Sequence, residues 1–323
     1  RAWLGARAAR AVAPGCPLSR RMSWVQRYIM ACTHTPGDTP GCSARMRAME
    51  LEPGMHQMAI GREPFKGFPP PNAFLVQGTD ASVLIDAGYD NPGDHAARMR
   101  FIEEAGGPPL SELVITHRHA DHGGGAMAIH RATGVPMACH ALEREAIETE
   151  RFGGEQAIAR ELQGGESTDL GGLTIEIVFA PGHTHGCLAV YVPERGALFT
   201  TDTVMQISTT AIRAEHGSLA RYGETLLKFQ EIGARVLYPG HGGPAYDPAA
   251  RLRLLIHHRE RREQELLEAL AGGASTPREL REKIYVGLPE VRQGIAERQV
   301  VTGLAKLMEE GHAKQDGDHY TLT

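Results

Sequence analysis

Three histidines and one aspartate fall within six residues, His117, His119, Asp121 and His122, directly after the apolar run LVIT at 113–116. Residues two apart in an extended segment point to the same side, so the first two histidines can face one point while the aspartate and the last histidine face a neighbouring one. Zinc binds imidazole nitrogen and carboxylate oxygen alike, so one such loop can serve two metal ions. The fold must therefore bring this loop to further ligands at a shared site.

Three more candidate ligands follow apolar runs later in the chain. His183 lies in APGHTHG, Asp202 ends FTTD, and His241 follows YPG. Strand ends from distant segments can converge on one edge of a layered sheet, which predicts three ligands for each of two zinc ions and a bridging carboxylate, Asp202. Two zinc ions about 3.5–4 Å apart can hold a hydroxide at neutral pH, so we expect a metal-dependent hydrolase whose nucleophile is a zinc-bound hydroxide.

This H-x-H-x-D-H pattern, with the later histidine, aspartate and histidine, resembles the metallo-β-lactamase superfamily. The resemblance implies a four-layer αββα sandwich with the site at the sheet edges. It also implies two sets of zinc ligands around a bridging residue: His117, His119 and His183 in the first set, Asp121, His122 and His241 in the second, and Asp202 between them.

Four other residues carry separate expectations. The resemblance singles out Asp86, in LIDAG, as a carboxylate that orients a ligand, a role that metal sites need. We therefore count Asp86 and Asp121 as the catalytic candidates. His185 is expected to line the pocket or to form hydrogen bonds without binding metal, and His216 is expected on a helix surface without a chemical role.

Short apolar runs alternate with helical patterns from about residue 50, which predicts an α/β layered domain over 49–248. The predicted strands are 73–78, 81–88, 113–116, 173–180, 187–192, 197–201 and 235–240, and the predicted helices are 94–105, 122–133, 141–150, 155–163 and 217–232.

Residues 249–323 predict a long helix followed by a winged-helix domain. The long helix covers 249–272, and Thr276 with Pro277 then opens a second helix as N-cap and first helical residue. A third helix over 296–311 precedes two short strands around Asp316-Gly317, which is a strong hairpin signal.

Residues 1–48 are rich in arginine and alanine and contain a single acid, Asp38. This composition is typical of an organelle transit peptide and also of a disordered extension. We therefore expect a cytoplasmic protein, or a mitochondrial-matrix protein if the extension is a transit peptide. No run approaches the roughly 20 apolar residues that a membrane span needs, so no membrane partner is expected.

The five cysteines form no C-x-x-C pair, and their odd number argues against a disulfide framework and for a reducing compartment. Cys139 and Cys187 are expected to be small buried apolar residues.

The resemblance extends to one branch of the superfamily, because YPGHGGP, the long helix with HHRERRE and the winged-helix tail are similar to it. The branch includes the lactamase-like endoribonuclease of animal mitochondria, and its relatives include polyketide thioesterases. It implies hydrolysis of a small ester, thioester or lactone, with cleavage of single-stranded RNA as the alternative. A third hypothesis is a nucleic-acid-binding module with a structural metal site. Thr201 stands where the branch often has glycine, which puts the shape of that loop in question.

Charge helps to rank these hypotheses. The net charge is −5, and the basic residues of 277–323 are matched by acids, which disfavours DNA binding by the wing. Tyr191, Tyr222 and Tyr238 either stack on bases or pack in the core. The long helix carries five arginines that form either an RNA path or a solvated face: Arg251, Arg253, Arg259, Arg261 and Arg262.

Overall fold

Two β-sheets form the inner layers of the larger domain in the computed structural model, which describes residues 47–64 and 67–323. The first sheet is antiparallel from β1 to β4 and parallel from β4 to β7. Its seven strands lie in sequence order: β1 (Arg47–Glu52), β2 (Met55–Ala59), β3 (Asn72–Gln77), β4 (Ser82–Ile85), β5 (Leu110–Val114), β6 (Met137–His140) and β7 (Ile158–Leu162).

The second sheet has five strands in the order β12-β11-β10-β9-β8, all antiparallel except the parallel pair β11 and β12. They are β8 (Ser167–Asp169), β9 (Thr174–Phe179), β10 (Leu188–Val192), β11 (Ala197–Thr201) and β12 (Val236–Pro239).

Alternation along the strands gives each sheet two apolar faces. Phe74 packs between the sheets, with its ring centroid 4.8 Å from that of Phe199, whereas its neighbour Leu75 packs outward against the helices. Successive side chains of a strand point to opposite faces, so both faces of each sheet become buried. The outer layers are the helices α1 (Pro92–Ala105), α2 (Ala120–Gly123), α3 (Ala126–Thr133), α4 (Ala141–Glu150) and α5 (Leu219–Ile232). The predicted αββα sandwich is confirmed.

The helix predicted over 155–163 is wrong, because Ile158–Leu162 is the edge strand β7. Ile158 and Leu162 are four residues apart, which imitates the spacing of one helix face. Their pairing with β6 shifts register after Met137, and the two side chains enter different cores, one outside the sheet and one between the sheets. A bulge of this kind changes the face of the sheet to which the following side chains point. The strand therefore lacks the regular alternation by which the sequence analysis recognises a strand.

The C-terminal region consists of α6 (Pro248–Ala271), α7 (Pro277–Ile284), α8 (Glu290–Glu309) and the hairpin of β13 (Ala313–Asp316) and β14 (His319–Leu322). Thr276 caps α7, as the sequence predicted, and Glu279 returns the bond in a capping box. The third helix begins six residues earlier than predicted, at Glu290. These elements form the predicted winged helix, which is confirmed.

Helix α6 belongs to two hydrophobic cores. Leu252 and Leu255 pack with the outer face of the second sheet, and Leu266 and Leu270 pack with the winged helix. The described residues from 47 onward lie in one compact unit, and the division at 248/249 stays a prediction. The predicted extension 1–48 lies outside the described residues except for its last two. No helix of the described segments is long and apolar enough to cross a membrane.

We expect Cys139 and Cys187 to resist alkylation in the folded protein. Both are fully buried, and burial raises the pKa of each thiol to about 12, so the reactive thiolate is rare and enclosed. Peptide mass spectrometry after iodoacetamide treatment at pH 8 should find both thiols unmodified in native protein and modified in urea. Labelling of either thiol without denaturant would contradict the buried apolar assignment.

Candidate metal centre

All seven predicted ligand side chains lie together at one edge of the sandwich. They come from loops at the carboxyl ends of β5, β9, β11 and β12, where side chains from separate strands can meet. They form two groups in which the ligand atoms lie within 4.8 Å of one another: His117, His119, His183 and Asp202 in the first group, and Asp121, His122 and His241 in the second.

In the first group, three imidazoles point at a common centre. His119 Nδ1 lies 3.1 Å from His117 Nε2 and 3.0 Å from His183 Nε2. Asp202 Oδ2 lies 3.7 Å from His183 Nε2. This geometry offers Nδ1 of His119, Nε2 of the other two histidines and one carboxylate oxygen to a single ion.

The second group uses the other oxygen of the same carboxylate. Asp202 Oδ1 lies 3.2 Å from His122 Nε2 and 3.7 Å from His241 Nε2. Asp121 Oδ2 lies 3.3 Å from His241 Nε2. Asp202 therefore lies between the two groups, with one oxygen toward each.

Unpaired buried atoms test whether this donor set fits metal ions. His122 Nε2 and Asp202 Oδ1 are both buried and make no hydrogen bond of proper geometry, although they face each other. Buried polar atoms are normally paired, so two that converge without pairing are suited to a cation. Nitrogen and oxygen ligands in two clusters match the preference of zinc.

Protonation also suits metal binding. Burial and neighbouring histidines lower the pKa of His117 well below its ordinary value and that of His119 to about 3. Burial alone would raise the pKa of Asp202, but the charges of His122 and His241 outweigh it and hold that pKa well below the usual range. Neutral imidazoles and ionised carboxylates are the forms that bind metals, so His117, His119 and Asp202 are ready to bind. Burial would lower the pKa of His122 and His241, but Asp202 and the other nearby carboxylates outweigh it and raise both, so these two imidazoles must lose a proton when an ion binds.

Each of the five imidazoles has a partner for the ring nitrogen that faces away from the cluster, as metal-binding histidines generally do. The pairs are His117 Nδ1 with Thr116 Oγ1 (3.1 Å), His119 Nε2 with His216 Nε2 (3.2 Å), His122 Nδ1 with Asp86 Oδ2 (2.7 Å), His183 Nδ1 with Ala211 O (3.0 Å) and His241 Nδ1 with Pro69 O (2.9 Å). These bonds fix the rotation of the rings and leave the inner nitrogens free for ligands.

The structure corrects the expectation for His216. This residue lies in the turn before α5, half-buried, and contacts His119, whereas the sequence suggested a helix surface without a chemical role. No spacing signal marks it, because the contact depends on how the loop after Asp202 folds. His185 lines a cavity of about 300 Å³ beside Gly217, which none of the seven clustered side chains lines, so its role beside the metal site stays a prediction.

Glu143 is a site residue that the sequence analysis missed. Its buried carboxylate accepts hydrogen bonds from Arg118 N at 3.0 Å and from Gly186 N at 2.8 Å. It thereby ties the loop of His117 and His119 to the loop of His183. On the amphipathic helix α4 it looks like any surface acid, so the sequence offered no signal.

The loops after β11 and β12 approach each other very closely. Thr201 has a φ of 44°, a left-handed conformation that ordinarily favours glycine. A Cβ on Gly240 would lie 2.2 Å from Asp202 Oδ1 and 2.8 Å from His122 Cε1. The position before His241 must therefore be glycine, because a Cβ there would clash with the Asp202 carboxylate, and Thr201 beside it has a strained backbone.

Two family models match this chain. Residues 67–241 match the metallo-beta-lactamase superfamily, a range that holds all seven clustered side chains. The chain belongs to the metallo-beta-lactamase superfamily. Residues 276–321 match the beta-lactamase associated winged helix domain, so this superfamily member carries a C-terminal winged helix. The predicted family resemblance is confirmed.

Sequence similarity to curated relatives covers most of the length of this superfamily member. An atrochrysone carboxyl ACP thioesterase from Aspergillus fumigatus is 31% identical, over 68% of this chain and 72% of that protein. A beta-lactamase-like protein 2 homolog from Caenorhabditis elegans is 26% identical, over 75% of this chain and 82% of that protein.

Solved structures of the superfamily share the architecture. A beta-lactamase domain protein from Burkholderia ambifaria has a TM-score of 0.72 at 19% identity, covering 85% of this chain and 93% of that one. A metallo-beta-lactamase family protein from Thermus thermophilus has a TM-score of 0.68 at 22% identity, covering 85% of this chain and 100% of that one. At such identities these structures establish the fold alone.

Proposed function

We propose that this superfamily hydrolase holds two zinc ions and cleaves a small thioester or related ester. The observation that carries the proposal is the single carboxylate of Asp202, which presents one oxygen to each of two groups of ligand atoms. The Aspergillus relative, named as a carboxyl ACP thioesterase, supports the substrate class.

The chemistry follows from the donor set. Two bound zinc ions would supply Lewis acidity and lower the pKa of a water molecule toward neutrality. The protein's own residues fix the geometry of the ligands. Thr116, Asp86 and the backbone carbonyls of Ala211 and Pro69 bind the outer ring nitrogens and so fix the orientation of four imidazole rings. A cysteine nucleophile is disfavoured, since burial raises the pKa of the Cys187 thiol to about 12.

The arginines of the long helix favour the thioester over RNA. Arg251 and Arg259 donate to backbone carbonyls of the loop after β11, and Arg261 and Arg262 lie against Glu265. Four of the five arginines considered for either an RNA path or a solvated face thus make contacts within the protein. Tyr222 and Tyr238 are buried in the core and do not stack on bases.

A paired activity assay tests the proposal. We expect zinc-loaded protein to hydrolyse an acyl-glutathione, and we expect chelation or His119→Ala to reduce the rate by about 10³-fold, or about 4 kcal/mol of activation free energy. An unstructured RNA, assayed in parallel, should stay intact. The readout is thiol release with a chromogenic thiol reagent and RNA integrity on a gel.

His312→Ala serves as the matched control, because it removes an exposed histidine at the start of the wing hairpin. Its activity should equal that of the parent. RNA cleavage that disappears with His119→Ala, without thioester turnover, would show that the same metal centre serves a ribonuclease and not a thioesterase. Turnover that survives both chelation and His119→Ala would show that this metal centre is not the active site.

A further inference from the structure

The segment 203–217 connects β11 to α5 without a strand or regular helix of its own, and it touches three predicted ligand residues. Ala211 O accepts the bond from His183 Nδ1, and His216 contacts His119. Thr210 Oγ1 donates to Asp202 O at 2.8 Å. We call this segment the ligand-support loop. Backbone groups in an irregular loop have no regular hydrogen-bonding pattern of a helix or sheet. Other parts of the protein must therefore supply their hydrogen-bond partners.

Helix α8 of the winged helix supplies one set of partners. Gln299 Nε2 and Thr302 Oγ1 each lie 3.1 Å from Ile212 O, the carbonyl that follows Ala211. Thr302 is 3% exposed and Ile212 is fully buried, so this contact excludes water. The single Thr302 hydroxyl proton also has Arg298 O within 2.8 Å, and Gln299 provides the donor when the hydroxyl turns back to its own helix.

Helix α6 supplies the second set. Arg259 donates to Thr210 O, and its guanidinium lies 5.1 Å from the ring centroid of Tyr222. Arg251 Nε donates to Met205 O at 2.6 Å, and its Nη2 donates to Ser208 O. Four side chains from beyond residue 248 therefore donate to carbonyls of the ligand-support loop, and these carbonyls lie both before and after Ala211 in the sequence.

We propose that the winged helix and α6 act as a positioning element for the metal ligands, and that their bonds to the ligand-support loop set zinc affinity at the His183 side of the centre. The inference rests on the proposed metal-dependent function and adds a role for the C-terminal region. Gln299 and Thr302 are positioning residues: they hold Ile212 O, and the adjoining Ala211 O holds His183 with its proton on Nδ1 and Nε2 toward the cluster. Bonds to the outer nitrogen of a metal-binding histidine typically change metal affinity by about 10–100-fold.

The test is zinc affinity of a double variant, Gln299→Leu with Thr302→Val, measured by competition with a chromophoric chelator. Both substitutions keep side-chain volume while they remove the donors to Ile212 O. We expect zinc to bind about 10-fold more weakly, at the low end of that range because the effect passes through one further residue. Thr302→Ser with native Gln299 keeps both donors and should restore affinity.

Val300→Ala is the matched control, because Val300 is buried in the winged-helix core beside both positioning residues and belongs to a different cluster from Ile212. It should lower the melting temperature and leave zinc affinity unchanged. Hydrogen exchange of metal-free protein gives a second measurement, in which amides 205–212 should exchange faster in the double variant than in Val300→Ala.

Equal zinc affinity in the parent and the double variant would overturn the inference and leave the proposed function intact. Equal weakening by Val300→Ala and the double variant would also overturn it, because domain stability alone would then explain the loss. A parent protein that binds no zinc would remove the proposed function and the inference together.

Discussion

Asp202→Ala should abolish hydrolysis and leave the protein with fewer than two zinc ions. Asp202 places one oxygen 3.7 Å from His183 Nε2 and the other 3.2 Å from His122 Nε2, so the substitution removes a ligand atom from both groups. The remaining imidazoles would also lose the negative charge that lies between them. We expect a loss of about 10³-fold or more in rate, which corresponds to about 4 kcal/mol of activation free energy. Inductively coupled plasma mass spectrometry after gel filtration would count the metals.

Asp121→Ala provides the comparison within the same site. Its carboxylate contacts His241 in the second group alone, so one zinc ion should remain. The fold should persist in Asp202→Ala, because the bond from Thr210 to residue 202 goes to the backbone oxygen and does not need the side chain. An Asp202→Ala protein with two zinc ions and parental activity would show that the bridging assignment is wrong.

The ligand cluster could be predicted because its signal is local and repeated. The loop 117–122 carries four of the ligands within six residues, and each later ligand lies within four residues of the end of an apolar strand. The position of a strand end in the sheet determines where the following ligand lies. The convergence of His183 and His241 could therefore be predicted once their strands were identified correctly. The N-cap at Thr276 and the turn at Asp316-Gly317 are equally local signals, and both appear where expected.

The missed features depend on contacts between distant segments. β7 imitates a helix because a bulge places Ile158 and Leu162 in different cores. His216 and Glu143 matter through what they touch, and neither lies in a motif. The arginines of α6 form a charged run in the sequence, yet Arg251 and Arg259 donate to carbonyls of the ligand-support loop. A one-dimensional pattern cannot distinguish a solvated charge from one that holds a loop.

Asp86→Asn should reduce zinc binding at the second group without removing the side chain from its place. Asp86 is fully buried, and its Oδ1 accepts from Thr116 N at 2.8 Å. Its Oδ2 accepts from Thr116 Oγ1 at 2.9 Å and from His122 Nδ1 at 2.7 Å. The backbone has a φ of 61°, which asparagine tolerates about as well as aspartate, so the loop should keep its shape.

The amide reverses the two hydrogen bonds that Oδ2 accepts, from His122 Nδ1 and from Thr116 Oγ1. Because Thr116 N–H must face the remaining oxygen, the asparagine NH₂ has to occupy the position of Oδ2 and donate toward His122 Nδ1. His122 would then carry its proton on Nε2, the atom that faces Asp202, and could no longer offer that nitrogen to a metal. We expect zinc affinity at the second group to fall by about 10–100-fold. Burial would lower the pKa of His122, but the carboxylates of Asp202 and Asp86 outweigh it and raise that pKa well above its ordinary value. Nitrogen-15 NMR of the metal-free protein, followed to a pH at which His122 is neutral, would identify the tautomer directly.

Asp94→Asn makes the same chemical change at a buried carboxylate in α1, outside both ligand groups, and should leave zinc affinity at the parental level. Asp86→Ala is a poorer test, since it would leave three buried donors without an acceptor, at about 1–3 kcal/mol each, and would confuse metal loss with unfolding. If Asp86→Asn keeps the Nδ1–H tautomer of His122 and full zinc affinity, Asp86 does not orient this ligand. If it shifts the tautomer but not the affinity, His122 is not a metal ligand.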